Sequence, residues 1–163
     1  MLTTLVIIAL VISKKKANAM SVEKKGPTGG KMKILASQVI RIDAAGKGNY
    51  GSGRTGHKHM GVDLIAKPGE SIFAPEGGKV VKIGLAYSGD SRYNSYHIAL
   101  DSGLRLKLLY VKPHFKLNDR VQAGQVIATS QDIAGKYGAS MINHVHVEII
   151  SNGFTIDPTK FLI

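Results

Sequence analysis

The chain has 163 residues, a length that fits one compact domain with a tail, and a formal charge of +11 from 22 Lys and Arg against 11 Asp and Glu. It contains no cysteine, which excludes disulfides and thiolate metal sites, so any bound metal must be held by imidazole and carboxylate. The charge favours an anionic partner, but much of the excess lies between Lys14 and Lys33, where seven lysines face only Glu23; with neither a zinc-finger spacing nor an aromatic stacking pattern, no nucleic-acid partner is expected.

In chain order, residues 1–13 are almost wholly apolar and are followed at once by Lys14-Lys15-Lys16. This reads as an N-terminal hydrophobic membrane anchor. Ala17-Asn18-Ala19 has the small-x-small form of a cleavage site, but a signal peptide carries its lysines before the apolar region, and here they follow it. An uncleaved anchor is therefore favoured over a signal peptide. The stretch is shorter than the roughly 20 residues of a full span, so the lysine stems would have to snorkel. Burial against a protein partner is the alternative. Residues 14–33, with Gly26-Pro27 and Gly29-Gly30, read as a flexible basic linker that could rest on anionic headgroups. The folded domain is expected over residues 34–163.

From Ile34 onward, short alternating runs are separated by glycine turns, which predicts an all-β domain. Ser71 to Ala74 and Lys79 to Gly84 read as two strands joined by a tight reversal at Pro75-Glu76-Gly77-Gly78. Tyr96 to Leu100, the turn Asp101-Ser102-Gly103, and the alternation of Leu104, Leu106 and Leu108 with Arg105 and Lys107 predict a hairpin. Gln125 to Thr129 and His144 to Ile150 are further strands, the latter closed by Asn152-Gly153, and Gly135 to Ser140 is expected to be a loop. No long helix is predicted.

Two motifs carry the chemistry: His59-Met60-Gly61-Val62-Asp63 and His144-Val145-His146-Val147-Glu148. Side chains alternate across a strand, so His144, His146 and Glu148 share one face while Val145, Val147 and Ile149 share the other. A bend at Gly61 is expected to turn both His59 and Asp63 inward. A catalytic zinc needs three nitrogen or oxygen ligands and one open position, and His59, Asp63 and His146 would supply that set, leaving His144 for proton transfer. His57 reads as an exposed loop residue and His97 as a satisfied strand residue.

The stretch from Arg54 to Leu162 resembles the lysostaphin-type (LytM-like) zinc peptidase family. The likeness lies in Arg54-Thr55-Gly56, His59, Gly61-Val62-Asp63, the run from Ala66 to Pro75, Leu109-Tyr110, the run from Asp119 to Ile127, and His144-Val145-His146-Val147-Glu148, ending at Asp157-Pro158. The resemblance implies a compact β-sandwich of the duplicated hybrid motif kind, with zinc in a groove between loops and peptidoglycan cross-link peptides as substrate. It also implies His59, Asp63 and His146 as zinc ligands and His144 as general base. Such a family places a second catalytic histidine two residues after the tyrosine matched by Tyr110, and that position is Lys112. Lysine, with an ordinary pKa near 10.4, is a poor base at neutral pH but can act as a point charge; His114, two residues on, is a possible substitute. The Tyr110-Val111-Lys112-Pro113 segment is similar to that of the leukocyte cell-derived chemotaxins, vertebrate relatives regarded as zinc-bearing and non-peptidase.

Two functions therefore stand side by side. One is a membrane-tethered zinc endopeptidase, weakened at Lys112, acting on peptidoglycan peptides. The other is a non-catalytic module that keeps zinc and binds wall peptide or a protein partner. The orientation implied by the lysine cluster puts the domain on the inner side, away from peptidoglycan, a conflict that a bacteriophage virion with a membrane would reconcile; an ordinary exported protein of the bacterial envelope is the competing reading.

Overall fold

The computed structural model describes residues 31–138 and 140–163; the expected anchor and most of the expected linker lie outside the described residues. Along the chain come β1 (Ile42–Asp43), β2 (Gly46–Lys47), β3 (Gly53–Arg54), β4 (His57–Lys58), β5 (Val62–Ile65), β6 (Ser71–Phe73) and β7 (Gly78–Tyr87). They are followed by β8 (Asp90–Leu100), β9 (Arg105–Leu109), β10 (Val111–Pro113), β11 (Arg120–Val121), β12 (Val126–Ser130), the single-turn helix α1 (Ala134–Tyr137), β13 (His144–Ser151), β14 (Phe154–Ile156) and α2 (Thr159–Leu162). No helix among the described residues is long and apolar enough to cross a membrane.

Two sheets enclose one core, as the β-sandwich expectation required. The larger runs β11-β7-β8-β9-β13-β14, with β5 sharing the free edge of β13, and the smaller runs β10-β12-β6. Alternation sorts the side chains: Tyr96 and Ile98 from β8, Leu106 and Leu108 from β9, and Val145, Val147 and Ile149 from β13 point into the core with Ile72, Val111 and Ile127 from the smaller sheet. The opposite face of the larger sheet is polar and carries the histidines.

The expected reversal at Pro75 to Gly78 is corrected by the pairing. β6 pairs with β12 and β7 pairs with β8, so the turn carries the chain from one sheet to the other and does not close a hairpin. The β8-β9 hairpin is present, in the register Tyr96↔Leu108 and Ile98↔Leu106. α1 occupies part of the segment expected to be a loop. At the N-terminal border, Met32 is buried and its N–H donates to the carbonyl of Phe161, while Gln38 Nε2 donates to the carbonyls of Met32 and Leu162. Gln38 thus ties the first described residues to the C-terminal turn.

Candidate metal centre

β13 lies centrally, with β9 on one side and β5 on the other, and its register places His146 beside both Leu109 and Asp63. The chain reaches β5 through a bend at Gly61, where no side chain fits: an added Cβ would stand 2.4 Å from the Val147 carbonyl oxygen and 2.8 Å from His146 Nε2. Upstream, the His59 N–H donates to the carbonyl of Ser52 and its carbonyl accepts from Gly51, which fixes this histidine before the bend. His59, Asp63 and His146 are each less than a tenth exposed.

Three potential ligand atoms converge. His59 Nε2 stands 2.9 Å from His146 Nδ1 and 3.1 Å from Asp63 Oδ1, and His146 Nδ1 stands 3.0 Å from the same oxygen. The second nitrogen of each ring is already engaged: His59 Nδ1–H donates to the Asn49 carbonyl at 2.9 Å, and His146 Nε2–H donates to Glu148 Oε1 at 3.1 Å. The two facing nitrogens therefore meet one another and a carboxylate oxygen, an arrangement that is stable only with positive charge among them, supplied by ring protons that donate to Asp63 or by a metal ion in their place. Zinc bonds of about 2.0–2.1 Å in a tetrahedron separate ligand atoms by about 3.3 Å, and the observed spacings are slightly tighter than that. A second tier of contacts that fixes ring tautomer and orientation is the usual companion of metal-ligating histidines. The donor set fits zinc.

The electrostatics support the same arrangement. Burial opposes ionisation of Asp63, but hydrogen bonds from His146 and His59 hold its carboxyl well below the usual carboxylate range. Its other oxygen accepts from Arg41 Nη2 at 3.0 Å, and Arg54 Nη2 stands 3.5 Å away. Burial alone would lower the His146 imidazole, and its bonds to Asp63 and Glu148 raise it instead. Against the effect of burial, Glu148 is held below its ordinary range by its hydrogen bond with His146 and then by Lys107 Nζ at 2.7 Å. Burial pushes the His144 imidazole down, more than the Asp63 charge raises it. Its Nδ1–H donates to the Ile142 carbonyl at 2.8 Å, which leaves Nε2, 3.8 Å from Asp63 Oδ1, as an acceptor.

These groups line a groove of about 450 Å³, walled by Tyr87, Leu109, Tyr110, Tyr137 and Met141. His57 is exposed at its rim. Lys112 and His114 are not among its lining residues. Lys112 lies exposed on β10 opposite Thr129, and His114, also exposed, follows that strand. The reason is at Tyr110, a non-glycine residue with φ of 65°, a conformation that costs roughly 1–2 kcal/mol. Its N–H donates to Asn94 and its carbonyl accepts from Gln131. That kink ends β9 and sends the chain into the smaller sheet.

Sequence reasoning missed Arg41, a buried guanidinium between Asp43 and Asp63. The available signal was a lone charge in the apolar run Val39-Ile40-Arg41-Ile42. The backbone carbonyl of Asn49 and the tyrosine wall carry no comparable signal. His97 is not a satisfied strand residue: it is buried, and its Nδ1 has no hydrogen-bond partner among the described residues.

Comparison with known proteins agrees with this geometry. The family model of Peptidase family M23 matches residues 57–158. Mouse (Mus musculus) leukocyte cell-derived chemotaxin-2 is 30% identical over 161 residues, covering 98% of each chain. The glycyl-glycine endopeptidase ALE-1 of Staphylococcus capitis is 32% identical over 123 residues, which are 72% of this chain and 32% of that protein's length. The catalytic domain of lysostaphin from Staphylococcus simulans superposes with a TM-score of 0.57 at 28% identity, covering 76% of this chain and 91% of that domain.

Proposed function

The chain belongs to peptidase family M23, and on that premise we propose that it is a zinc-dependent endopeptidase of low turnover acting on the cross-link peptides of bacterial peptidoglycan. The observation that carries this reading is the convergence of His59, Asp63 and His146, with both imidazoles oriented from behind, next to an uncommitted His144 in an open groove. When bound, zinc supplies Lewis acidity, polarising a carbonyl and lowering the pKa of water toward neutrality. Arg41 and Arg54 stand behind the Asp63 carboxylate at its second oxygen, and Asn49 and Glu148 hold the ligand rings in register. His144, kept neutral by burial, takes a proton at Nε2 from the attacking water and returns it to the leaving amine. Losing one of two proton-transfer groups typically costs ~10²-fold to 10⁴-fold in rate, hence the low turnover assigned here.

Oligoglycine is the first substrate to test, because a relative carries the name glycyl-glycine endopeptidase. Zinc-loaded protein is incubated with purified peptidoglycan and with pentaglycine, and new amino termini are counted. Release that disappears in His146→Ala establishes the peptidase. Binding of pentaglycine without release favours a second reading, a zinc-stabilised binding module. That reading draws on Lys112 and His114 standing outside the groove, and on the end-to-end likeness to a chemotaxin.

For location, we propose that the apolar segment 1–13 tethers the domain to a bacterial envelope or phage virion membrane, the lysines of residues 14–33 resting on its headgroups. Recovery of the whole protein in the soluble fraction after cell lysis, or an amino terminus beginning after Ala19, would remove the tether.

A further inference from the structure

We infer that Tyr110 takes over the transition-state role left open by Lys112, donating a hydrogen bond from its Oη to the scissile carbonyl oxygen as negative charge develops there. This rests on the peptidase reading of the same groove. The case begins with position. Tyr110 lines the groove, and its ring meets His144 edge-on with centroids 5.5 Å apart, next to the proposed base. The left-handed backbone at Tyr110, pinned by Asn94 and Gln131, is the same kink that carries Lys112 away from the groove. One strained residue thus removes a candidate and presents its own side chain.

The hydroxyl is also supplied with the right polarity. Tyr137 Oη–H donates to Tyr87 Oη at 3.0 Å, and Tyr87 Oη–H donates to Tyr110 Oη at 2.8 Å. With the rotatable hydroxyl protons aligned in this direction, the Tyr110 proton is the one left for a ligand. Accepting a bond from Tyr87 polarises that proton further. Burial pushes the Tyr110 hydroxyl up to about 12, so it remains a neutral donor at physiological pH. Lys136, whose Nζ lies 4.7 Å from the Tyr87 ring centre and 2.7 Å from Asp90 Oδ2, ties the far end of the chain to the β7-β8 hairpin. Of the other groove-lining donors, the Arg41 Nη atoms are spent on Asp43 and Asp63 and Arg54 Nη2 on the Lys47 carbonyl and Asp63, while Arg41 Nε, unpaired among the described residues, is buried and His57 stands at the exposed rim.

The test compares pentaglycine with its phosphinic analogue, in which a tetrahedral phosphinate replaces one amide, on zinc-loaded full-length protein. The unmodified chain binds the phosphinate more tightly than the peptide. Tyr110→Phe loses roughly tenfold to a hundredfold in phosphinate affinity while pentaglycine affinity, zinc stoichiometry and melting temperature hold, as expected for one lost oxyanion donor. Tyr137→Phe, at the remote end of the chain, loses less than Tyr110→Phe. Unchanged phosphinate affinity in Tyr110→Phe overturns the role, as does a loss found in Lys112→Ala instead. If the unmodified protein shows no preference for the phosphinate, the peptidase reading falls and the tyrosine role falls with it, an outcome distinct from the others.

Discussion

The two faces of β13 are equally dry and are held together in opposite ways. Val145, Val147 and Ile149 are fully buried against the core, where dispersion and the hydrophobic effect stabilise them without directional demands. His144, His146 and Glu148 are nearly as buried on the other face, where every group depends on a named partner. A packed apolar face tolerates small changes by local rearrangement, whereas a buried polar face fails when one member is removed. One strand thus combines a robust half that keeps the sheet in place with a fragile half whose groups could hold a cation.

The largest expected break of this contrast is Asp63→Ala. It removes a metal ligand and leaves Arg41, only 3% exposed, facing a lost carboxylate; zinc binding is abolished and the unfolding free energy falls by about 3–5 kcal/mol, as read by denaturant titration and metal analysis. A test by pH follows from His97, whose imidazole burial and the nearby Lys107 and Lys82 charges lower to about 4 from 6.5. The unfolded chain then takes up a proton that the folded chain refuses. Stability is therefore fully present above about pH 6.5 and falls as pH drops toward 4, by roughly 2–3 kcal/mol. His97→Gln flattens this part of the apo-protein's profile.

Glu148→Gln keeps the side-chain shape but removes the charge behind His146, and is expected to weaken zinc by about tenfold to a hundredfold in competition with a chelator. The smallest effect belongs to the apolar face. Ile149→Val costs about 0.5–1.5 kcal/mol and leaves zinc affinity unchanged, because the lost methylene lies on the other side of the strand. A change in zinc affinity in that variant would mean that the two faces are coupled more closely than their contacts indicate.

Much of this contrast was legible in the sequence. The period-two reading of His144 to Ile149 assigns both faces of β13, because a strand leaves no other choice. Gly61 announced the bend, since His59 and Asp63 share no helical stripe. What escaped depends on long-range partners. The reversal at Pro75 to Gly78 looks like a hairpin locally, and only the competing partner β12 reveals that β6 belongs to another sheet. The buried setting of Arg41 is fixed by Asp63, 22 positions away. The displacement of Lys112 stems from a positive φ at Tyr110, which nothing in the residue type announces.

His146 and Asp63 are 83 positions apart, and they meet only because β5 and β13 pair edge to edge. A metal cannot be gripped by all three groups until that long loop has closed. A zinc ion held there would act as a latch on the finished molecule, slowing unfolding and leaving the rate of folding nearly untouched. Its presence would lengthen the lifetime of the native chain more than it would speed the chain's arrival there.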